Sequence, residues 1–374
     1  MPRTVRSFPK LILALLILSA CSTIQAPAIQ TAASVPTALP SPTVNSSSGA
    51  NLEMEKKTDK ITSQALAGNL LGDPTERTFY IVLPSSYASG EKSYPVVYVL
   101  PWGTGEATSN VMVEYSLRKL LKEGEAQEMI LVFPDGANSL GASQFRSSPT
   151  IGDYETYIVR ELVDYVDTNY RTLAAPESRG IMGCSNGGDA TMHLALKYPD
   201  VFGVAAPTGG TYDEALERNQ ILLQELKYTT TLPQDAFEVT RLGDLSPLIA
   251  WYIQAAAGTA SNPDKPPLYL DMPFRIVAGH GEIVPEVAAK IADHDSMHEA
   301  ERYVQQPLRL RGILIQHALN DRFTPTEAVR NFEHTLTELG IEHEYKEMDA
   351  SHCPPEWDSV SLQFMTDHLV FEEP

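Results

Sequence analysis

The sequence predicts an α/β fold with a mostly parallel central sheet and helices on both faces. From about residue 60, apolar runs of strand length alternate with segments of helical periodicity. Two of the runs, Tyr94–Leu100 and Met129–Phe133, are almost continuously apolar, as expected of strands that helices cover on both sides. Residues 211–305 break the alternation and favour helix, so we interpret them as a helical insertion between two strands, which we call the cap.

The elements outside the cap follow from periodicity and from start and stop signals. The predicted strands are Arg77–Pro84, Tyr94–Leu100, Met129–Phe133, Arg179–Gly183, Val201–Ala206, Gly312–Gln316 and Glu342–Met348. The predicted helices are Tyr154–Tyr170, Ala190–Tyr198, one that begins at Thr324 and one from about Ser359. Thr324, Pro325 and Glu327 match a capping box, and Gly340 is the predicted stop of the same helix.

Composition limits the class of protein. The chain has 374 residues, of which 43% are hydrophobic, which suffices for a large core and excludes a disordered protein. Asp and Glu (48) outnumber Lys and Arg (28), so the formal net charge is −20. This balance argues against nucleic acid as a partner, because binding to a phosphate backbone needs clustered positive charge.

The N-terminus is predicted to direct export. A basic start precedes an apolar run at residues 11–20, which is too short to span a bilayer. The run ends in Leu-Ser-Ala before Cys21, which resembles a bacterial lipobox, so we expect a lipoprotein signal peptide at 1–20 and a lipid on Cys21. An ordinary secretory peptide is the alternative. Residues 21–60 are rich in Ala, Ser, Thr and Pro, which predicts a tether that holds a catalytic domain (61–374) at the outer face of a bacterial membrane.

A candidate nucleophile lies in the segment Gly-Cys-Ser-Asn-Gly at residues 183–187, which matches G-x-S-x-G. A predicted strand precedes it and a predicted helix follows, which is the context that this motif requires. The serine backbone is strained in such a turn, and the helix N-terminus stabilises developing negative charge. Ser185 is therefore the predicted nucleophile, with a plain glycine-rich turn as the alternative.

A serine nucleophile needs a histidine base and a carboxylate that orients the base. With this motif the chain order is serine, acid, histidine. His352 lies in a loop after the last predicted strand, whereas its neighbours His334, His343 and His368 fall in predicted helices or strands. Asp321 follows the strand that ends at Gln316 and is the predicted acid. Asp349 is its rival, but it is very close to His352 at the same strand end.

Backbone N–H groups must stabilise the oxyanion of the tetrahedral intermediate. One is expected from Asn186, directly after the nucleophile. The other is expected from the loop after the strand YPVVYVL. Because Pro101 has no N–H group, Trp102 and Gly103 are the candidates.

Two cysteines adjoin the proposed catalytic residues. Cys184 precedes Ser185 and Cys353 follows His352. If the serine and the histidine lie within hydrogen-bond reach, the two sulfurs are close as well. An exported chain meets oxidising conditions, so we predict a Cys184–Cys353 disulfide that fixes the histidine loop to the nucleophile turn. Two buried free thiols are the alternative.

We expect no metal and no cofactor. His294 and His298 are four residues apart with Glu301 nearby, which is metal-ligand spacing on a helix. A fourth ligand is missing, so a polar helix face is the favoured interpretation. His193 and His317 are expected to be structural.

The ordered motifs resemble the esterase D and feruloyl-esterase-like branch of the α/β-hydrolases. The similar segments run from Arg77 to Gly210 and from Leu308 to Trp357, and include RTFYIVLPSSY, VFPDG and GCSNGGDATMHLALKYPDVFGVAAPTGG. The resemblance implies an α/β-hydrolase fold and hydrolysis of carboxylic esters without a cofactor. The Cys-Ser and His-Cys pairs are also similar to tannase-type feruloyl esterases, in which these cysteines form a disulfide. Relatives usually have His-Gly where this chain has Pro101-Trp102, which leaves the second oxyanion donor open.

The sequence thus predicts a serine carboxylic ester hydrolase that acts on extracellular small-molecule or polysaccharide-linked esters, such as feruloyl or acyl esters. An acyltransferase of the mycolyltransferase type on the same fold is the alternative, because only the exclusion of water separates the two reactions. A non-catalytic binding protein is a further alternative, against which the complete set of three residues argues. Trp251, Tyr252 and Tyr269 are candidates for an aromatic pocket, with core packing as the alternative.

Overall fold

The computed structural model describes residues 53–241 and 245–372. The predicted signal peptide, the predicted lipidation site Cys21 and most of the predicted tether lie outside this range. Within it, no helix combines the length and the apolar character that crossing a membrane requires.

A central sheet of eight strands organises the described residues. The strands are β1 (Glu55–Thr62), β2 (Glu76–Leu83), β3 (Val96–Leu100), β4 (Ile130–Phe133), β5 (Arg179–Cys184), β6 (Val204–Thr208), β7 (Gly312–Ala318) and β8 (Glu344–Met348). Their spatial order is β1-β2-β4-β3-β5-β6-β7-β8. β2 is antiparallel to both of its neighbours. The other strands, in the spatial order β4-β3-β5-β6-β7-β8, run parallel to one another. The sheet is therefore mostly parallel, as the sequence predicts.

Helices are interspersed with the strands along the chain. They are α1 (Val113–Glu123), α2 (Tyr154–Thr156, a π-helical Tyr157–Leu162 and Val163–Asn169), α3 (Asn186–Lys197), α4 (Gln220–Leu226), α5 (Ala236–Thr240), α6 (Pro247–Thr259), α7 (Pro285–Ala292), α8 (Ser296–Tyr303), α9 (Thr326–Glu338) and α10 (Trp357–His368). Short 3₁₀ turns lie at Pro176–Ser178 and Leu216–Arg218. Small antiparallel pairs join Ala137–Asn138 to Gly141–Ala142, Ser147–Ser148 to Gly152–Asp153, and Phe274–Val277 to His280–Ile283.

The two faces of the sheet bury different hydrophobic clusters. Tyr98 of β3 points into one of them together with residues of α2 and α3. Its neighbours Val97 and Val99 point into the other, with residues of α1 and α10. This alternation along one strand is what a sheet covered on both faces requires.

The cap is built on the first of these clusters. It contains α4 to α8, which confirms the predicted helical insertion, and Leu222, Ile249 and Ile253 pack in the same cluster as residues of α2. The hairpin formed by Phe274–Val277 and His280–Ile283 was not predicted. The cap therefore shares a hydrophobic core with the sheet.

Two boundaries differ from the predictions. β1 begins at Glu55 and pairs along its whole length with β2, so the predicted domain start at residue 61 falls inside a strand. Its side chains are mostly exposed and charged, and therefore carry no hydrophobic signal. Helix α9 begins at Thr326 with Pro325 as its N-cap and has no side-chain capping bond, so the predicted capping box at Thr324 is wrong.

Candidate active site

Ser185 occupies the tight turn between β5 and α3. Its φ of 58° lies in the left-handed region, which few residues other than glycine adopt. The Ser185 N–H donates to Thr208 O at 3.0 Å, which ties the turn to β6. A Cβ on Gly183 would lie 2.6 Å from the carbonyl carbon of Gly187, and one on Gly188 would overlap Thr208 O. Gly183 and Gly188 are required because backbone segments approach each other this closely.

His352 and Asp321 form a hydrogen-bonded pair. His352 Nδ1 lies 2.6 Å from Asp321 Oδ2, and the side chain of Asp321 is fully buried. The other carboxylate oxygen accepts the N–H groups of Phe323 (2.8 Å) and Thr324 (3.1 Å). Burial raises the pKa of Asp321, but the hydrogen bond and charge of His352 together with the two backbone N–H groups outweigh it, so the pKa lies below its ordinary value. Asp321 is thus held as a carboxylate that orients the imidazole.

One cavity lies at the carboxyl end of the sheet beside the two proposed reacting residues. Ser185 and His352 both line this cavity, which has a volume of about 960 Å³. Gly209, just after β6, marks the meeting point: a Cβ there would lie 3.6 Å from Asp321 Oδ2, Cys184 Sγ and His352 Cε1. The predicted nucleophile and base therefore line the same cavity, and the predicted acid is hydrogen-bonded to the base.

The loop after β3 supplies one clear candidate for the second oxyanion donor. Trp102 donates its N–H to Ser109 Oγ at 3.1 Å, so that group is already engaged. Among the described residues, none accepts a hydrogen bond from the Gly103 N–H, and Gly103 O accepts from Asn186 Nδ2 at 2.5 Å. The first helical bond of α3 is Asp189 N to Ser185 O, so the Asn186 N–H precedes the helical hydrogen bonds. Asn186 and Gly103 therefore fit the predicted role better than Trp102.

A disulfide joins Cys184 to Cys353, with 5.9 Å between the Cα atoms. It links the last residue of β5 to the loop that carries His352. Cys353 has a φ of 51°, so the chain turns sharply directly after the histidine. The bridge therefore fixes the position of the proposed base relative to the nucleophile turn.

The cap supplies much of the cavity wall. Leu245, Pro247, Leu248 and Trp251 line it from one side, and Trp102 lines it from the loop after β3. The two other aromatic candidates of the cap do not take this role. Tyr252 is buried in the core, where its hydroxyl accepts from Asn219 Nδ2 at 3.2 Å, and Tyr269 is not among the lining residues.

Two residues of the site escaped the sequence analysis. Phe323 packs edge-on against the His352 ring, with 4.8 Å between the ring centroids. Arg322 lies over the Phe323 ring, with its guanidinium carbon 4.7 Å from the ring centroid. Both follow Asp321 directly, and this adjacency was the one signal that could have pointed to them.

The remaining candidate histidines have structural partners. His193 Nε2 lies 3.0 Å from Glu155 Oε1, and His317 Nε2 lies 3.0 Å from Thr326 Oγ1. The rival acid Asp349 accepts from Asn320 Nδ2 at 3.0 Å. The two histidines at metal-ligand spacing have other partners: His298 Nδ1 lies 2.8 Å from Asp295 Oδ1, and His294 Nδ1 lies 2.9 Å from Lys290 O. Over the described residues, no group of three or more potential ligands could hold a metal ion.

Arg146 connects the cap to α3. Its guanidinium donates to the buried Glu214 side chain, to Asp189 Oδ2 (3.5 Å) and to His294 O (2.6 Å). The Glu214 N–H in turn donates to Asp295 Oδ2 at 3.2 Å. Removal of one partner from a buried ion pair costs about 3–5 kcal/mol. These contacts therefore anchor both ends of the cap to the helix that follows the nucleophile.

Sequence comparison places the chain among esterases. A family model described as "Putative esterase" matches residues 73–368. A Mycobacterium tuberculosis esterase is 27% identical over 135 residues, which cover 35% of this chain and 28% of that protein. An endo-1,4-beta-xylanase/feruloyl esterase of Xylanibacter ruminicola is 28% identical over 144 residues, or 36% of this chain and 20% of that protein. The chain spans less than a third of the length of these two relatives.

Structural comparison identifies the fold. A ferulic acid esterase aligns with a TM-score of 0.55 at 18% identity, over 85% of this chain and 99% of that one. An S-formylglutathione hydrolase from Staphylococcus aureus aligns with a TM-score of 0.53 at 14% identity, over 84% and 99%. At these identities the likeness shows the fold, which is that of the α/β-hydrolases. Since the family model covers most of the chain, the protein belongs to the putative esterase family.

Proposed function

We propose that this protein is a serine carboxylic ester hydrolase that works through an acyl-enzyme intermediate. The observation that carries the proposal is that His352, hydrogen-bonded to Asp321, lines the same cavity as Ser185, which lies on its strained turn at the N-terminus of α3. The disulfide beside both residues and the esterase family membership support it.

The proposed reaction has two steps. His352 takes the proton of Ser185 while Oγ attacks the ester carbonyl, and the oxyanion accepts hydrogen bonds from the N–H groups of Asn186 and Gly103. The intermediate collapses when His352 gives the proton to the leaving alcohol, which departs and leaves an acyl-serine. Water, deprotonated by His352, then attacks the acyl-serine. The bond between the acyl carbon and Ser185 Oγ breaks, His352 returns the proton to Oγ, and the carboxylic acid leaves.

The test is hydrolysis of 4-nitrophenyl acetate, 4-nitrophenyl butyrate and methyl ferulate by wild type and by Ser185→Ala. We expect turnover by wild type and a loss of about 10³-fold or more in the variant, since the nucleophile is removed. An Arg160→Gln variant, which alters an exposed ion pair with Asp200, is the matched control and should keep full activity. Equal rates for wild type and Ser185→Ala would contradict the proposal, and product transfer to an added alcohol would favour an acyltransferase.

We further propose that the enzyme is exported, that it is anchored by a lipid on Cys21, and that it acts on extracellular esters. The feruloyl esterase names of its relatives make feruloyl and acyl-polysaccharide esters the first substrates to examine. Mass analysis of the N-terminal peptide from wild type and Cys21→Ser tests the anchor. An unmodified wild-type peptide would contradict it.

A further inference from the structure

The cavity beside Ser185 presents the arginine side chain of Arg322 although the protein is strongly acidic. The whole chain carries a formal net charge of −20, yet the described residues that line the cavity include Arg322 and no Asp or Glu. Asp321 lies behind His352, and its oxygens accept hydrogen bonds from His352, Phe323 and Thr324. The cavity therefore favours a negatively charged ligand over a positive one.

Arg322 is the cation best placed to act on a substrate. Its guanidinium carbon lies 4.7 Å from the Phe323 centroid, and that ring lies 4.8 Å from the His352 ring. The guanidinium is thus within about 10 Å of the proposed base, comparable with the Debye length at physiological ionic strength. No carboxylate of the described residues forms an ion pair with Arg322, in contrast to Arg330, which is paired with Glu347.

A guanidinium fork suits a planar or tetrahedral anion. Two parallel N–H groups match the oxygens of a carboxylate, and the same group binds sulfate or phosphate. The stack on Phe323 restricts the orientation of the side chain, which lowers the entropy lost when a ligand binds. Arg322 therefore has both the chemistry and the placement of an anion-recognising residue.

The side of the cavity indicates which part of the ester is recognised. The acyl oxygen must face the N–H groups of Asn186 and Gly103, whereas the leaving alcohol must face His352, from which it takes its proton. Arg322 contacts the Phe323 ring, and this ring packs against His352. Arg322 therefore lies on the side of the cavity where the alcohol part of the ester must bind. We propose that the natural substrate carries an anionic group on its alcohol part and that Arg322 recognises it; this rests on the hydrolase function proposed above.

The experiment compares two acetyl esters that differ in charge on the alcohol part. They are 4-acetoxybenzoate, which carries a carboxylate, and 4-acetoxybenzamide, which is neutral. We expect Arg322→Gln to lower kcat/KM for the benzoate by about 10-fold, mainly through KM, and to change the value for the benzamide less than about twofold. High salt should weaken the wild-type preference for the benzoate, because the interaction is exposed to solvent. Arg160→Gln, with the same change of net charge away from the cavity, is the control.

A second substrate pair tests the assignment to the alcohol part. Mono-4-nitrophenyl succinate and 4-nitrophenyl butyrate place the charge difference on the acyl part instead. If Arg322→Gln affects the succinate selectively and leaves the benzoate unchanged, the proposed orientation is overturned. If the variant affects all four esters equally, charge recognition by Arg322 is overturned while the hydrolase function stands.

A ligand-binding measurement tests the role of Arg322 without requiring ester hydrolysis. Trp102 and Trp251 line the cavity, so tryptophan fluorescence of the Ser185→Ala protein reports on ligands there. We expect 4-hydroxybenzoate to bind about 10-fold tighter than 4-hydroxybenzamide, and the additional Arg322→Gln change to remove the difference. Equal affinities would overturn the inference. Absence of any ester hydrolysis by wild type would instead overturn the proposed function, and the binding result would still decide the role of Arg322.

Discussion

Removal of the Cys184–Cys353 disulfide tests whether this bond holds His352 in its working position. The bridge spans a sequence separation of 169 residues. For so long a loop the chain-entropy model gives a stabilisation of about 5 kcal/mol. With an unfolding entropy of about 2.1 cal/mol/K per residue, a chain of this length should lose about 6 °C in Tm. Because Cys353 is bonded directly to His352, the histidine loop also loses its fixed point, and we expect kcat/KM to fall by up to about 100-fold.

The assay separates the covalent link from the packing of the sulfur atoms. Melting by circular dichroism and hydrolysis of 4-nitrophenyl acetate are measured for oxidised wild type, reduced wild type and the double variant Cys184→Ala, Cys353→Ala. Intact mass defines the oxidation state of each sample. Cys184 is fully buried, so reduced wild type, which keeps both sulfurs, is the better reference for the bond itself. A fully reduced wild type that melts within about 2 °C of the oxidised protein and keeps its rate would refute this reasoning.

Three further predictions concern single residues. Asp321→Asn should lower kcat for 4-nitrophenyl acetate by about 10⁴, because an amide does not hold the imidazole in the right tautomer; a loss below tenfold would remove Asp321 from the catalytic set. Gly188→Ala places a methyl group on Thr208 O and should destabilise by about 1–3 kcal/mol in urea unfolding, so an unchanged midpoint would contradict the close packing. Burial raises the pKa of Glu155, but the hydrogen bond to His193 helps to hold it far below its ordinary 4.5. The stabilisation by Glu155 is therefore complete above about pH 4.5 and is lost as the pH falls towards the folded-state pKa. The difference in Tm between wild type and Glu155→Gln should shrink from pH 6 to pH 3. A difference that stays constant would contradict this role of Glu155.

The candidate residues Ser185, Asp321 and His352 could be selected from the sequence because their signals are local. Ser185 lies in a short motif with a defined context, and Asp321 and His352 each follow a predicted strand in the expected chain order. The choice between Trp102 and Gly103 was not predictable, because it depends on a hydrogen bond to Ser109, seven residues further along the chain.

The fold was predictable where burial is strong. β3, β4 and β5 are buried at every position, and their apolar runs stand out from the sequence. β1 is an edge strand whose charged side chains face solvent, so its sequence is typical of a loop or a tether. The contact of Arg146 with Glu214 joins residues 68 positions apart, and no periodic pattern encodes such a pair.

The anchoring of the cap by Arg146 has a consequence for how substrate preference can change. Glu214 and Asp295 lie near the two ends of the cap and are hydrogen-bonded to each other, so the intervening chain leaves and returns at one place. Because the ends adjoin, a change in the length of the insertion adds only a modest entropy of loop closure, provided that the core positions Leu222, Ile249 and Ile253 remain apolar. Replacement of the segment between Glu214 and His294 would thus change the cavity wall above Ser185 without moving the proposed reacting groups. We therefore expect substrate preference to change mainly through this segment, in evolution or by design.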